Sequence, residues 1–252
     1  MRTEGRQLGL NCCWSSRGID MKSYALIALI SVSGQAVGSD MDLPKDLAPL
    51  PAFQISTPCD WRVEVRRTNT WLERDQRGRI ELEKLIQAYP TGIPRAEYDR
   101  VNLPLRQEEE RLRAELEDLV QRCGWPSRTA FGNRAGENAW FIVQHASPEF
   151  QLRYLPLVQA AAEAGELPKQ MWAMLFDRVE LGQGRPQRYG SQICPGGMGK
   201  KKACEVESVE GIDARRAEVG MVPASWCAYL STNGATHESC ENSSAAGVGG
   251  GK

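Results

Sequence analysis

The stretch LRQEEERLRAELEDLVQRCGWP, residues 105–126, decides the fold of this chain. Its apolar residues recur at spacings of seven, four, three and four, which places them on one face of an α-helix. Glu109 and Arg113 lie on the opposite face, at the spacing of an i,i+4 ion pair. Gly124 and Pro126 are residue types that end helices. The pattern predicts a long amphipathic helix that packs its leucine face against the rest of the domain.

Helical patterns continue on both sides of this stretch. Before it, apolar residues recur at helical spacing from Thr70 to Tyr89, and the run ends at Pro90. After it, Ala139–Val143 is apolar on every side, which predicts a short buried helix. This helix delivers Gln144 and His145 at its end.

Two more helices are expected in the second half of the chain. Ser147, followed by a proline, is typical of a helix start, and the helix should reach Ala164 with a kink or a break at Pro156. Another helix should run from Pro168 to Val179. Strand-like alternation is scarce outside Trp61–Val65. We therefore predict a mainly α fold: a single compact helical domain with a long polar Gly/Gln loop and an extended Pro-rich N-terminal arm.

Composition and charge exclude several classes of protein. The chain of 252 residues is 41% hydrophobic and 25% charged and has seven tryptophans, which argues against a disordered, collagen-like or coiled-coil protein. Its apolar runs are shorter than the roughly 18 residues of a membrane span. The formal net charge is −1, so the basic excess that drives binding to phosphate backbones is missing, and we expect no nucleic-acid partner.

The N-terminal region has the pattern of a secretory signal. Met21 and Lys22 precede an apolar segment over Tyr24–Val32, and the small residues Ala36 and Gly38 follow it. We predict cleavage after Gly38; the alternative is a buried helix or a weak membrane anchor. Export makes the protein periplasmic or secreted, and it would meet the membrane only during export.

The chain then divides into four segments. Residues 1–38 form the leader and signal peptide, and residues 39–58 form the Pro-rich arm. The helical domain covers residues 59–232. Residues 233–252 are expected to be a flexible tail, because their end is rich in Ser, Ala and Gly.

Cleavage would leave six cysteines, an even number that suits an oxidising compartment. Six cysteines allow fifteen pairings, and spacing alone does not choose among them. Cys194 and Cys204 flank a Gly/Lys loop, and we expect a disulfide between them. The close Cys and His spacings of a zinc site are missing, so we expect no metal, and nothing in the sequence calls for a cofactor.

Polar residues interrupt apolar helix faces at two places. Asp75 and Arg79 break one apolar stripe, and Asp177 and Arg178 break another. Burying such groups costs several kcal/mol unless they find partners. The alternative for each pair is a purely structural ion pair. His145 is the one histidine expected inside the folded core; its side chain is suited to proton transfer near neutral pH, or it is structural.

The segment Gly182–Gln192 is the Gly/Gln loop, and it has three glycines, three glutamines, two arginines and a tyrosine. So many amide donors and acceptors on one irregular segment suit the binding of a polar ligand. The alternative is a solvated turn. The segment is not a phosphate-binding loop, because no Gly-Lys-Ser/Thr follows the glycines.

Taken in order, these motifs resemble the bacterial domain-of-unknown-function family 6624. The similarity covers about Trp71 to Tyr229, and its most specific parts are Gln144-His145 and Tyr189–Gln192. The motifs are Asp75-Gln76-x-x-Arg79, Gly124-Trp125-Pro126, Ala139–Ala146, Asp177-Arg178-Val179, Pro186–Gln192 and Ile212–Met221. The segment around Cys194–Cys204 departs from the pattern as an insertion. The resemblance implies no particular activity.

We expect the polar residues to converge around one pocket. In a hydrolase-like enzyme, His145 is the general base or acid, and Asp75 or Asp177 orients it. The residues expected to hold a polar substrate are Arg79, Gln144, Arg178, Gln187, Tyr189 and Gln192. Two alternatives use the same residues: a module that binds a polar small molecule, a peptide, a glycan or a protein without turnover, and a buried network that only fixes the packing of the helices.

Overall fold

A computed structural model describes residues 59–132, 134–196 and 200–245 of the chain. The described part is mainly helical. Its helices are α1 Trp61–Ala88, α2 Arg95–Cys123, α3 Arg128–Phe131, α4 Ala135–His145, α5 Pro148–Glu163, α6 Lys169–Gly182, α7 Ile212–Glu218, α8 Trp226–Thr232 and α9 Glu238–Ala245. Its strands are β1 Ile193–Pro195, β2 Lys201–Ala203 and β3 Ala235–Thr236. The predicted mainly α fold is confirmed.

Helices α1 and α2 form a long antiparallel hairpin. The leucine face predicted for residues 105–126 is buried, and Trp71 of α1 packs in the same core. Charged residues also join the two helices: the Arg74 guanidinium donates to Glu108 and to both carboxylate oxygens of Glu115. A disulfide between Cys59 and Cys123 ties the open end of the hairpin together.

Helix α4 lies against α1 and α2 and carries the apolar surface that the sequence predicts. Trp140, Ile142 and Val143 are buried, and the Trp140 indole donates to the backbone of Met171. Ser147 caps α5 as expected: its hydroxyl accepts from the backbone of Phe150.

Several local expectations are wrong. Trp61–Val65 is the first turn of α1 and not a strand, because the residues that follow extend the helical pattern. Pro156 lies inside α5 without ending it, so the helix is not broken there. Its ring faces solvent while Leu155 and Leu157 are buried, so packing outweighs the lost backbone hydrogen bond. Glu109 pairs with Arg79 of α1 rather than with its own-helix neighbour Arg113.

A small sheet packs under the C-terminal helices. Strand β1 pairs antiparallel with β2, and β2 pairs parallel with β3. Cys194 and Cys204 form the predicted disulfide beside this hairpin, and Cys227 pairs with Cys240. None of the described helices is long and apolar enough to cross a membrane.

The folded part extends past residue 232, after which the sequence predicts a flexible tail. Residues 235–245 contribute β3 and α9, because the Cys227–Cys240 disulfide and the pairing of β3 with β2 hold them against the domain. The predicted leader and signal peptide, residues 1–38, and the Pro-rich arm, residues 39–58, lie outside the described residues.

Arg216 of α7 organises the C-terminal third of the domain. The residue is only 1% exposed. Its guanidinium donates to the backbone carbonyls of Tyr189, Pro223 and Ala224 and lies over the Tyr229 ring. Burial lowers the pKa of Arg216. One side chain thus joins α7, the Gly/Gln loop and the turn before α8.

The substitution Arg216→Met should destabilise the domain by about 3 kcal/mol, because it leaves one buried and two partly buried carbonyl groups without this donor. The free energy of unfolding in urea, measured with the disulfides intact, tests this. The control is Arg100→Gln, which removes an exposed ion pair with Glu97 and should leave the unfolding free energy nearly unchanged. Equal stability of R216M and the parent chain would contradict the assigned role.

Candidate functional site

The centre of the site is a contact between Asp75 on α1 and His145 at the end of α4. The His145 Nδ1 atom lies 2.8 Å and 3.0 Å from the two carboxylate oxygens of Asp75. The Asp75 side chain is only 2% exposed. An ionised carboxylate only accepts hydrogen bonds, so Nδ1 carries the proton and donates it to Asp75. This tautomer leaves Nε2 of the ring as a lone-pair acceptor.

Asp75 is satisfied by two further groups on its own helix. Gln76 donates from Nε2 to the Oδ2 atom of Asp75 over 2.7 Å. The Arg79 Nε atom lies 3.5 Å from the same oxygen, as the i,i+4 spacing predicts, and the Arg79 guanidinium also pairs with Glu109 of α2. Asp75 is therefore held in place by charge and hydrogen bonds before any ligand arrives.

His145 is half-buried, with 17% of its side chain exposed. Its Nε2 atom has no hydrogen-bond partner among the described residues, and it is not sealed in the interior. Burial lowers the pKa of His145 below its ordinary value of 6.5; Asp75 acts in the opposite direction, and the charges of Arg79 and Arg178 add to the lowering. The imidazole is therefore neutral at neutral pH.

Arg178 of α6 connects this pair to the Gly/Gln loop. Its Nη1 atom donates to the backbone carbonyl of Gln144, the residue before His145, over 3.1 Å. Its Nε and Nη2 atoms donate to the Oε1 atom of Gln192, at 3.2 Å and 3.1 Å. The Gln192 amide in turn donates to the backbone of Met174. Arg178 thus fixes the loop beside the end of α4.

Asp177 contacts the loop rather than His145. Its carboxylate is completely buried and accepts three backbone N–H groups, from Arg188, Tyr189 and Ser191, at 2.8–2.9 Å. Burial raises the pKa of Asp177, while these hydrogen bonds act in the opposite direction. Of the two carboxylates expected to orient the imidazole, Asp75 does so and Asp177 shapes the loop.

Gln187 and Tyr189 also lie inside the loop's own packing. The Gln187 side chain accepts from the Gln192 backbone and donates to the carbonyls of Gln192 and Cys204. The Tyr189 ring packs against Trp172 and Phe176 of α6. Both residues are buried, so their predicted contact with a ligand stays a prediction, and their observed contacts hold the loop.

The structure explains why the Tyr-Gly-Ser-Gln motif has a glycine at position 190. Its φ angle is +64°, and a Cβ atom at this position would lie 2.3 Å from the Trp226 indole nitrogen. That nitrogen donates to the Gly190 carbonyl. A side chain there would separate the loop from α8, so glycine is required.

A single network therefore joins the predicted residues, and it is not fully satisfied. Asp75, Arg79 and His145 form one end, and Arg178 and Gln192 link them to the loop. The open position is His145 Nε2, which lacks a hydrogen bond within the described part; Gln144 Oε1 also lacks one, but that atom is buried. A purely structural network has no use for unfilled positions, whereas a ligand-binding site needs them.

The described residues contain no group of three His, Cys, Asp or Glu side chains placed to hold a metal ion. The side chains at the site supply an imidazole base, two guanidinium groups and side-chain amides.

The model of the family of unknown function DUF6624 matches residues 103–233, just over half of the chain. The chain belongs to this family. The matched residues include His145, Arg178 and the Gly/Gln loop, while Asp75 and Arg79 precede them. No curated protein and no solved structure matches the chain.

Two site residues of this DUF6624 chain were missed as functional candidates. Gln76 supports the Asp75 carboxylate, and Glu109 pairs with Arg79. Gln76 is part of the motif that begins at Asp75, which was a usable signal. Glu109 gave no such signal, because an ion pair with Arg113 on its own helix accounted for its position in the sequence equally well.

The lowered pKa of His145 makes stability depend on pH. Below pH 6.5 the unfolded chain binds a proton at this residue that the folded chain does not, so the free energy of unfolding should fall as pH drops from 6.5 towards the lowered pKa. Urea unfolding of the parent chain and of His145→Gln at about pH 7.5 and about pH 5.5 measures this loss. The parent chain should lose more stability than H145Q; equal losses would contradict the assigned protonation.

Proposed function

We propose that this chain is an exported protein, periplasmic or secreted, that hydrolyses a polar substrate with His145 as the general base. The observation that carries the proposal is that the two nitrogen atoms of the His145 ring have different environments. A buried carboxylate holds Nδ1, and Nε2 is left without a partner beside two arginines. This is the arrangement that a general base needs.

The proposed reaction proceeds by direct attack of water. Nε2 of His145 takes a proton from a water molecule as the water oxygen bonds to the electrophilic atom of the substrate. The bond to the leaving group then breaks, and the imidazolium returns its proton to that group. Asp75 is a positioning residue: it fixes the ring and the tautomer and stabilises the imidazolium while it exists.

Burial prepares the imidazole for this role. A lowered pKa keeps His145 in its neutral, basic form at neutral pH. Asp75 offsets part of this loss of basicity, because its carboxylate attracts the proton that the ring acquires.

The substrate would meet the site at the Nε2 atom of His145, which has no hydrogen-bond partner among the described residues. Arg79 and Arg178 both place positive charge near His145, which suits an oxyanion that forms during attack. Asp177, Gln187 and Tyr189 contribute by holding the loop in which Gln192 lies.

The proposed export agrees with the cysteines. Among the described residues, the disulfides Cys59–Cys123, Cys194–Cys204 and Cys227–Cys240 suit an oxidising compartment. N-terminal sequencing of the mature protein tests this part, and we expect cleavage near Gly38. A mature chain that starts at Met1 or Met21 would contradict it.

The hydrolase is tested with nitrophenyl esters, nitrophenyl phosphate, aminoacyl nitroanilides and nitrophenyl glycosides. We expect turnover of at least one class, and His145→Gln should lower kcat/KM about 100-fold or more, because general-base catalysis contributes a factor of that order. The control is His237→Gln, which changes the second histidine, in contact with Trp226. It should leave turnover unchanged.

Equal rates for the parent chain and H145Q on every substrate, including no turnover by either, would contradict the hydrolase. Binding of a peptide or glycan that depends on His145, without turnover, would instead identify a binding module.

A further inference from the structure

Helix α4 has one stripe of residues that the rest of the domain does not bury. Eight of its eleven residues are buried, and the other three, Glu137, Phe141 and His145, are half-buried. These three follow one another at steps of four residues, so they lie on one side of the helix. Each step spans about 6 Å along the helix axis. We call these three residues the α4 stripe.

Two neighbouring helices lie on either side of the α4 stripe. On one side, the side chains of Asn138 and His145 contact α1. On the other side, the Trp140 indole and the Gln144 carbonyl contact α6. At about 100° of rotation per residue, the first two residues of the stripe point between these two sets of contacts. The stripe is therefore accessible between α1 and α6.

Glu137 gives the stripe an accessible carboxylate without a partner. The carboxylate forms no hydrogen bond and no ion pair within the described part of the chain, and neither of its oxygens is sealed from solvent. Burial raises the pKa of Glu137, although the charges of Arg134 and Arg128 act in the opposite direction. The surrounding protein therefore compensates this carboxylate only in part, and a cationic group from a ligand would supply the missing partner.

Phe141 provides an apolar surface between the two polar ends of the stripe. Its ring centroid lies 6.1 Å from that of the His145 ring. A half-buried aromatic ring next to the proposed base offers a contact for an apolar group of the substrate. The stripe thus presents a carboxylate, then an aromatic ring, then an imidazole.

The spacing of the stripe matches the spacing of side chains in an extended peptide. In an extended chain every second side chain points to the same face, and such side chains are about 6.6 Å apart. The steps of the α4 stripe are about 6 Å long. A peptide that lies along the stripe can therefore place two successive same-face side chains over Glu137 and Phe141. The backbone two residues further along then lies at His145.

We propose that the α4 stripe binds an extended peptide, with a basic side chain at Glu137 and an apolar side chain, two residues away, at Phe141. This inference names the substrate class of the proposed hydrolase, and it rests on that proposed function for the reaction at His145. The contact at Glu137 is about 12 Å away along the helix, so binding there is measured separately from turnover.

The probes are two pentapeptides with an acetylated N-terminus and an amidated C-terminus, KAFAA and AAFAK. Both orders are used because the spacing sets the order of the contacts and not the direction of the peptide. Each is titrated into the folded, oxidised chain by calorimetry and by NMR of the His145 ring. We expect at least one to bind and to shift the His145 signals. Glu137→Gln should weaken this binding about tenfold, because it removes a charged hydrogen-bond partner.

Two changed peptides and one matched variant make the test specific. Norleucine in place of lysine removes the ammonium group and keeps the apolar stem, so this peptide should bind equally to the parent chain and to E137Q. Alanine in place of phenylalanine should weaken binding to both. The control variant is Glu97→Gln, which removes the same charge from an exposed ion pair near the start of α2. It should bind the peptides as the parent chain does.

His145→Gln separates this inference from the proposed function, because it should abolish turnover and still bind the lysine peptide. Binding that depends on Glu137, without turnover of any peptide, would support this inference and contradict the hydrolase. Turnover that is the same for the parent chain and E137Q, with lysine or norleucine in the peptide, would overturn this inference and leave the hydrolase in place.

Two binding results would overturn the proposal outright. One is the absence of binding of either lysine peptide at about 10 mM, a concentration far above the Kd of a functional site. The other is equal affinity of the parent chain and E137Q for the lysine peptide that binds better.

Discussion

The burial of the Asp75 carboxylate is the constraint on which the candidate site depends. A charge that is 2% exposed must be compensated inside the protein. Asp75 meets this requirement with the His145 ring, the Gln76 amide and the Arg79 guanidinium. These contacts tie α1 to α4 and orient the imidazole. The same requirement that stabilises the helix pair therefore leaves the other ring nitrogen available for chemistry.

The Gly/Gln loop is held by a second buried carboxylate, that of Asp177, which has a different role from Asp75. Asp177 holds the loop through three backbone N–H groups, and Arg216 holds it through the Tyr189 carbonyl. Arg178, next to Asp177 on α6, then reaches from Gln192 to the end of α4. These two adjacent residues of α6 therefore have different roles: Asp177 shapes the loop, and Arg178 joins the loop to the site.

The sequence predicted what depends on local spacing. The helix face of residues 105–126, the Ser147 cap and the Cys194–Cys204 disulfide all follow from residues that are close in the chain. The sequence did not predict the contacts that depend on packing between elements distant in the chain. Glu109 had a partner on its own helix and another on α1, and only the fold chose Arg79. Asp75 and Asp177 were equal candidates for orienting His145, because only the fold decides which carboxylate lies next to the imidazole.

The tautomer of His145 tests the central claim most directly. Long-range ¹H–¹⁵N NMR at neutral pH distinguishes a protonated Nδ1 from a protonated Nε2. We expect a proton on Nδ1, in the hydrogen bond to Asp75, and an unprotonated Nε2 that exchanges contacts with water. A proton on Nε2, or an Nε2 atom engaged in a fixed hydrogen bond within the protein, would contradict it.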